Sequence, residues 1–191
     1  MTKTRKIMSI LWVVGMMTMI IIYIVYSFSP EPETIDGVPR PDLDNFKIEN
    51  LTEEQIIKID RFAPTFMSSS HRCGEKSGIR RSQYKDTDKD TKHCRYSVRE
   101  TVGIQALQVT LVKDTTLKLK IESSLGAGNA MVFIIQDDTI VESFECGGNK
   151  TLTYQVEGES IFCVKVLFED TKDFSINIVR AFGGEEPIID H

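Results

Sequence analysis

The chain has 191 residues, 41% of them hydrophobic, and 23 basic against 28 acidic side chains for a formal net charge of -5. That length suffices for one domain with its own core, and the acidic balance excludes the broad basic face that nucleic-acid binding requires. No glycine-rich phosphate loop, HExxH or G-x-S-x-G stretch occurs, so the common signatures of phosphate handling, zinc proteolysis and serine hydrolysis are missing as well.

From Ile7 to Ser29 there is no charged residue, and the run is apolar almost throughout. About twenty such residues are what a helix needs to cross a bilayer core. A secretory leader has a shorter apolar region and a small-residue cleavage pattern, which is lacking here. Residues 1–28 therefore read as a cytoplasmic tail and an uncleaved transmembrane signal-anchor. Lys3, Arg5 and Lys6 precede the span while Glu31, Glu33 and Asp36 follow it, which keeps the N-terminus cytoplasmic and sends the rest outside. Trp12, Tyr23 and Tyr26 suit the two headgroup interfaces.

Residues 29–50 hold four prolines and several acids, the composition of an extended stalk. In residues 51–94, Thr52 with Gln55 three positions later forms a capping-box pattern, Glu53 and Glu54 favour a helix start, and Pro64 stops it. This predicts one short helix with Ile56, Ile59 and Phe62 as its buried stripe. From Phe66 to Cys94 no periodicity is visible, and the segment reads as a long irregular neck.

In that neck, KDTDKDTKHC spaces Asp86, Asp88 and Asp90 like the first ligands of a calcium loop. Position six is Thr91 instead of glycine and position twelve is Ser97 instead of glutamate, so the pattern fails where it is diagnostic and the stretch reads as a solvated turn. Arg80 and Arg81, near Lys76 and Lys85, form a short basic cluster of the kind usually found on a solvated face.

Residues 95–182 change character: short β-branched and aromatic runs are separated by KD, LGAGN, DD, GGN, GE and EDTKD. Leu117, Leu119 and Ile121 alternate with Lys118, Lys120 and Glu122, the signature of a half-buried strand. About eight such strands predict a mainly β chain closing as an antiparallel β-sandwich or jelly roll. Phe162, Val164, Val166 and Phe168 form one face, and with Val132, Ile134, Leu152, Tyr154, Ile176 and Ile178 they are the expected core. Residues 183–191 form an acidic tail.

The stretch GGNKTLTYQVEGESIFCVKVLFEDTKDFSINI, residues 147–178, resembles the closing strands of prepeptidase C-terminal-type domains, jelly-roll-like accessory modules of extracytoplasmic Gram-positive bacterial proteins. The resemblance implies a non-catalytic module.

Outside the cytoplasm, Cys73, Cys94, Cys146 and Cys163 are disulfide candidates, with three connectivities possible. The preferred pairs are Cys73 with Cys94, clamping the neck, and Cys146 with Cys163, joining neighbouring strands. A bridge closing a loop of about twenty residues contributes on the order of 3 kcal/mol in the chain-entropy picture. The competing reading takes His71, Cys73, His93 and Cys94 as a tetrahedral zinc site or a thiol-redox sensor, although their spacing matches no familiar finger. His191 ends the chain and reads as solvated.

The expectation is thus a membrane-anchored extracytoplasmic β-sandwich without catalytic residues or cofactor. It has a binding, structural or assembly role at the bacterial cell surface, and its partners are the membrane and another surface protein or a cell-wall polymer.

Overall fold

The structure, a computed structural model, describes Trp12, residues 16–19, 33–62, 93–185 and Pro187, together with the backbone of 69–73. The chain divides into two compact units, Met1–Glu33 and Thr34–His191. In the first, Trp12 and residues 16–19 are helical; most of the expected membrane span lies outside the described residues. Among the described residues no helix is long and apolar enough to cross a membrane. The acidic triplet Asp86, Asp88 and Asp90, the cluster at Arg80 and Arg81, and His191 also lie outside them.

The second unit is mainly β. In chain order it comprises β1 (Thr34–Ile35), β2 (Val38–Pro39), a 3-10 turn (Ile48–Asn50), α1 (Glu53–Lys58), β3 (Arg61–Phe62), β4 (Ser69–Cys73), β5 (His93–Lys113), β6 (Thr116–Ser124), β7 (Ala127–Gln136), β8 (Thr139–Glu145), β9 (Asn149–Gln155) and β10 (Glu159–Phe182). All pairings are antiparallel.

Two long strands make the architecture. The first half of β10 lies between β7 and the second half of β5, while its second half lies between β6 and the first half of β5. One sheet therefore runs β3-β5-β10-β7-β8 and the other β4-β5-β10-β6-β9, with β5 and β10 passing through both. The expected eight runs thus become six strands, because the segments on either side of 103 and of 169–173 do not separate. EDTKD is a bulge in β10 instead of a turn: the register shifts between Phe168 and Thr171, and Asp170 takes φ 48°. Thr171 stays buried and donates its hydroxyl to the Asn129 carbonyl at 2.6 Å, which keeps the chain in the ladder. Across from the bulge Gly128 has φ 84°, and a Cβ there would collide with the Asp170 carbonyl.

The hairpin turns are built on aspartates. Asp137 and Asp138, with φ 44° and 66°, form the two-residue link from β7 to β8, and the Asp137 carboxylate accepts the Ile161 N–H at 2.8 Å. Asp114 accepts the Gly158 N–H in the same manner at 2.8 Å.

Between the sheets lies a core that contains Phe162, Val164, Val166 and Phe168, together with Val132, Ile134, Ile176 and Ile178, as the alternation predicts. Leu152 and Tyr154 pack against it half-buried. Phe168 meets Phe174 edge-on with centroids 5.0 Å apart, and Tyr154 reaches Phe162 from the opposite sheet at 5.1 Å. At the open side, Lys150 on β9 pairs with Glu142 on β8 at 2.9 Å and stands over the Phe144 ring.

The first sheet is covered on its other face too, which the sequence reading does not anticipate. Instead of an extended stalk, residues 34–50 fold back and bury Val38, Phe46 and Ile48; with Ile56, Ile59 and Phe62 these cover Ile104, Phe133 and Leu167. Each such side chain contributes roughly 1.5–3 kcal/mol of transfer free energy. The Glu169 carboxylate clamps this strap, accepting from Lys47 Nζ at 2.6 Å and from the Ile48 N–H at 3.1 Å. The Lys47 hydrogen bond holds that carboxyl below its usual range. A lowered carboxylate pKa stabilises the fold above the unfolded value, so the clamp is complete at neutral pH and is lost as pH falls through the folded value.

The capping box forms as predicted: Thr52 Oγ1 accepts the Gln55 N–H at 3.2 Å and Gln55 Oε1 accepts the Thr52 N–H at 2.9 Å. The helix nevertheless ends at Lys58, well before Pro64, and Arg61–Phe62 pairs with β5 as a strand. Lys165 on β10 supplies the reason. Its fully buried ammonium donates to the carbonyls of Ile56 at 2.8 Å, Ile57 at 3.0 Å and Ile59 at 2.7 Å, and pairs with Asp60 Oδ1 at 3.1 Å. The last carbonyls of α1 thus meet a cation, which also suits the negative end of the helix dipole.

The neck is only partly irregular: Ser69–Cys73 is a strand pairing with β5. Lys165→Met is expected to destabilise the second unit by about 3–5 kcal/mol, because it leaves Asp60 and three carbonyls buried without their cation. Chemical denaturation of the full chain measures this; a loss below about 1 kcal/mol would mean that water replaces the ammonium there.

Candidate functional site

After the bulge, β10 reads F-S-I-N-I. Phe174, Ile176 and Ile178 enter the core, so Ser175 and Asn177 face outward. On β5, Cys94, Tyr96 and Val98 are inward and leave Arg95 and Ser97 outward; on β6, Leu119 and Ile121 are inward and leave Lys120, Glu122 and Ser124 outward. Register then aligns these residues. Ser175 stands opposite Ser97 on one side and Ser124 on the other, while Asn177 stands opposite Arg95 and Glu122. On β4, Ser70 and Arg72 hold the positions next to Ser97 and Arg95.

The result is an open cleft of about 420 Å³ on the outer face of the second sheet, bordered by Arg95, Ser97, Glu122, Ser124, Ser175 and Asn177. Tyr96, Ser123 and Ile176 also line it. Ser124 Oγ and Ser175 Oγ lie 2.8 Å apart, and Lys120 Nζ lies 3.5 Å from Glu122 Oε1. Asn177 Oδ1 is buried with no hydrogen-bond partner among the described residues, an acceptor held between a guanidinium strand and a carboxylate strand. An unmatched acceptor of this kind is costly unless another group answers it.

Chemically the cleft offers hydroxyls, one amide, one guanidinium and one carboxylate. Hydrolysis by a serine would require a base within hydrogen-bond reach. His93 is on the same face, but four residues along β5 from Ser97, about 13 Å by strand rise. The arrangement is suited to holding a polar ligand.

The zinc or thiol-sensor constellation is not brought together. His93 and Cys94 are consecutive in β5 and so face opposite sides of the sheet, whereas His71 and Cys73 hold the register positions of core-facing Tyr96 and Cys94. Cys94 is disulfide-bonded, which removes it as a thiolate ligand, and Cys73 is its cross-strand partner in register. Cys146 and Cys163 are free thiols, contrary to the expected pair. Strand alternation explains this: Cys163 sits between core-facing Phe162 and Val164 and so points to the opposite face, packing with Ala106 and Ile135, while Cys146 packs against the core between the sheets. Burial pushes the Cys146 thiol up to about 12, with a smaller opposing effect from the Ser123 hydrogen bond.

Sequence reading missed the cleft residues. The outward Ser and Asn of F-S-I-N-I are visible as the polar half of an alternation, but their alignment with Arg95 and Glu122 exists only in the register.

No family model and no curated protein matches the chain. Among solved structures it is similar to a family two carbohydrate esterase from Clostridium thermocellum, in complex with cellohexaose, at 12% identity and a TM-score of 0.34 over 54% of this chain and 30% of that one. It is also similar to the carbohydrate-binding module CBM36, in complex with calcium and xylotriose, at 14% identity and a TM-score of 0.33 over 61% of this chain and 100% of that one. The chain thus spans less than a third of the esterase. Neither is a prepeptidase C-terminal domain, and the part of that expectation that holds is the antiparallel β-sandwich.

In the native full chain, iodoacetamide at neutral pH is expected to leave Cys146 and Cys163 unmodified, since both are shielded and Cys146 stays protonated. Denaturation without reductant exposes both. Peptide mapping checks this, and rapid native labelling of Cys163 would contradict its burial.

Proposed function

We propose that the chain is a non-catalytic binding module presented at the outer side of a bacterial membrane, and that the cleft on the second sheet is its ligand site. The observation that carries this reading is the cross-strand alignment of five polar side chains, Arg95, Ser97, Glu122, Ser124 and Ser175, around Asn177, whose Oδ1 has no hydrogen-bond partner among the described residues. Hydroxyls and an amide both donate and accept, so such a surface is matched by a hydroxyl-rich partner, of which a cell-wall polymer is the nearest source. The carbohydrate complexes named above accord with that partner but do not carry the argument.

The uncharged run from Ile7 to Ser29 acts in this proposal as a single-pass anchor with Lys3, Arg5 and Lys6 in the cytoplasm. Cys73 pairs with Cys94, tying β4 to β5 beside the cleft in an oxidising compartment. The test is co-sedimentation of the full chain, in nonionic detergent, with washed cell-wall sacculi. The Ser175→Val, Asn177→Leu double variant is expected to bind about tenfold more weakly, having lost two hydrogen-bonding positions. Binding unchanged by the double variant would remove the cleft from the reading, and binding to lipid vesicles alone would replace the polymer.

A further inference from the structure

We infer that the strap is a two-stage tether: residues 34–50 let go of the sheet as one unit while residues 53–62 stay docked, so that the connection between residue 33 and the sandwich lengthens without loss of the sandwich. The inference goes beyond the binding-module reading and is tested separately from it.

The inner section is tied into the eight-stranded sheet. Arg61 and Phe62 pair with Gln105 and Ile104, and the Asp60 carbonyl accepts the Ala106 N–H at 2.7 Å. The Lys165 ammonium is answered by the carbonyls of Ile56, Ile57 and Ile59 and by the Asp60 carboxylate, so pulling this section away would strand a buried charge. The outer section has no place in that ladder: β1 and β2 form a separate two-stranded sheet. It docks by burying Val38, Phe46 and Ile48 and through the Glu169 clamp, in which the side chains of Lys47 and Glu169 are 46% and 18% exposed. Its release gives one ion pair back to water and leaves no buried charge behind, which makes it the cheaper of the two openings.

The boundary between the sections is built as well. α1 carries its own N-terminal cap in the reciprocal Thr52–Gln55 box, so it stays helical without residues 34–50. Side chains bridge the boundary: Gln55 Nε2 donates to the Pro39 carbonyl at 2.8 Å, and Phe46 stacks on Phe62.

Chain order sets the order of release. Thr34 directly follows the first compact unit, so tension passed along the chain from that unit meets β1 first and the clamp at Lys47 and Ile48 last before the helix cap. Fully extended, residues 34–50 span at most about 60 Å. In a membrane-anchored chain this length adds to the reach of the cleft.

The test is hydrogen-exchange mass spectrometry of the full chain in nonionic detergent at neutral pH. The bonded amides of Ile48 and Asn50, with the β1–β2 segment, report the outer section; those of Ile56 and Ile59 report the inner one. The outer section is expected to open at least about tenfold more often than the inner one. Glu169→Gln and Lys47→Met should each speed exchange across all of 34–50 about five- to tenfold, leaving 53–62 and β10 unchanged. The two variants reach the clamp from opposite sides, so a disturbance of the bulge alone would not be shared by both. A common opening rate for the two sections in the parent would overturn the inference. So would variants that speed nothing, that speed only residues 47–50, or that speed β10 equally.

Discussion

A buried ammonium is the constraint on which the arrangement of the second unit depends. Taking a lysine out of water costs several kcal/mol unless its donors are answered, and Lys165 finds every acceptor on the segment that ends α1. The relation is mutual: without the strap Lys165 would be an uncompensated outward side chain on an apolar sheet face, and without Lys165 the helix would end on bare carbonyls. Docking of residues 34–62 is consequently specific, because a one-residue slip would leave the cation opposite apolar groups. The apolar contacts around Phe46 and Phe62, stacked at 6.0 Å, supply area; the lysine supplies position.

How much of this could be read from the sequence depends on whether a property is local. The alternation in TLKLKIES and the run Phe162, Val164, Val166, Phe168 state which face is inward, and the structure agrees because pleating alone decides it. The capping box at Thr52 and Gln55 is local too. By contrast, Lys165 in V-K-V looks like the exposed half of an alternation, and only a distant covering segment turns it into a core residue. That segment was hidden by its prolines: Val38, Phe46 and Ile48 follow no period, so nothing in their spacing distinguishes a folded strap from a spacer. The bulge at 169–173 was misread for a related reason, since acids with a lysine look the same whether the chain reverses or merely kinks.

The candidate site was the least legible part. Ser97, Ser124, Ser175 and Asn177 are ordinary outward residues in their own strands, and none belongs to a motif. Their meaning arises from pairing offsets between distant segments, 51 positions apart in the Ser124–Ser175 contact, and such offsets are set by turns and bulges along the whole chain. The conspicuous side chains, His71, Cys73, His93 and Cys94, were misleading in the opposite sense: close in sequence or alike in chemistry, they are distributed by strand alternation to different faces.

The strap and the cleft meet on β10. Before the bulge its outward residues are Cys163, Lys165 and Leu167, which serve the strap; after it they are Ser175 and Asn177, which serve the cleft. A straight strand of 24 residues would leave all of these on one continuous sheet face. The kink at Asp170, with its close approach to Gly128, carries the strand from one sheet to the other, so one face becomes two surfaces with separate tasks. Covering the first with the chain's own strap leaves the second to meet a ligand. The division therefore follows from one bulge, where Thr171 answers the Asn129 carbonyl and Glu169 reaches the strap.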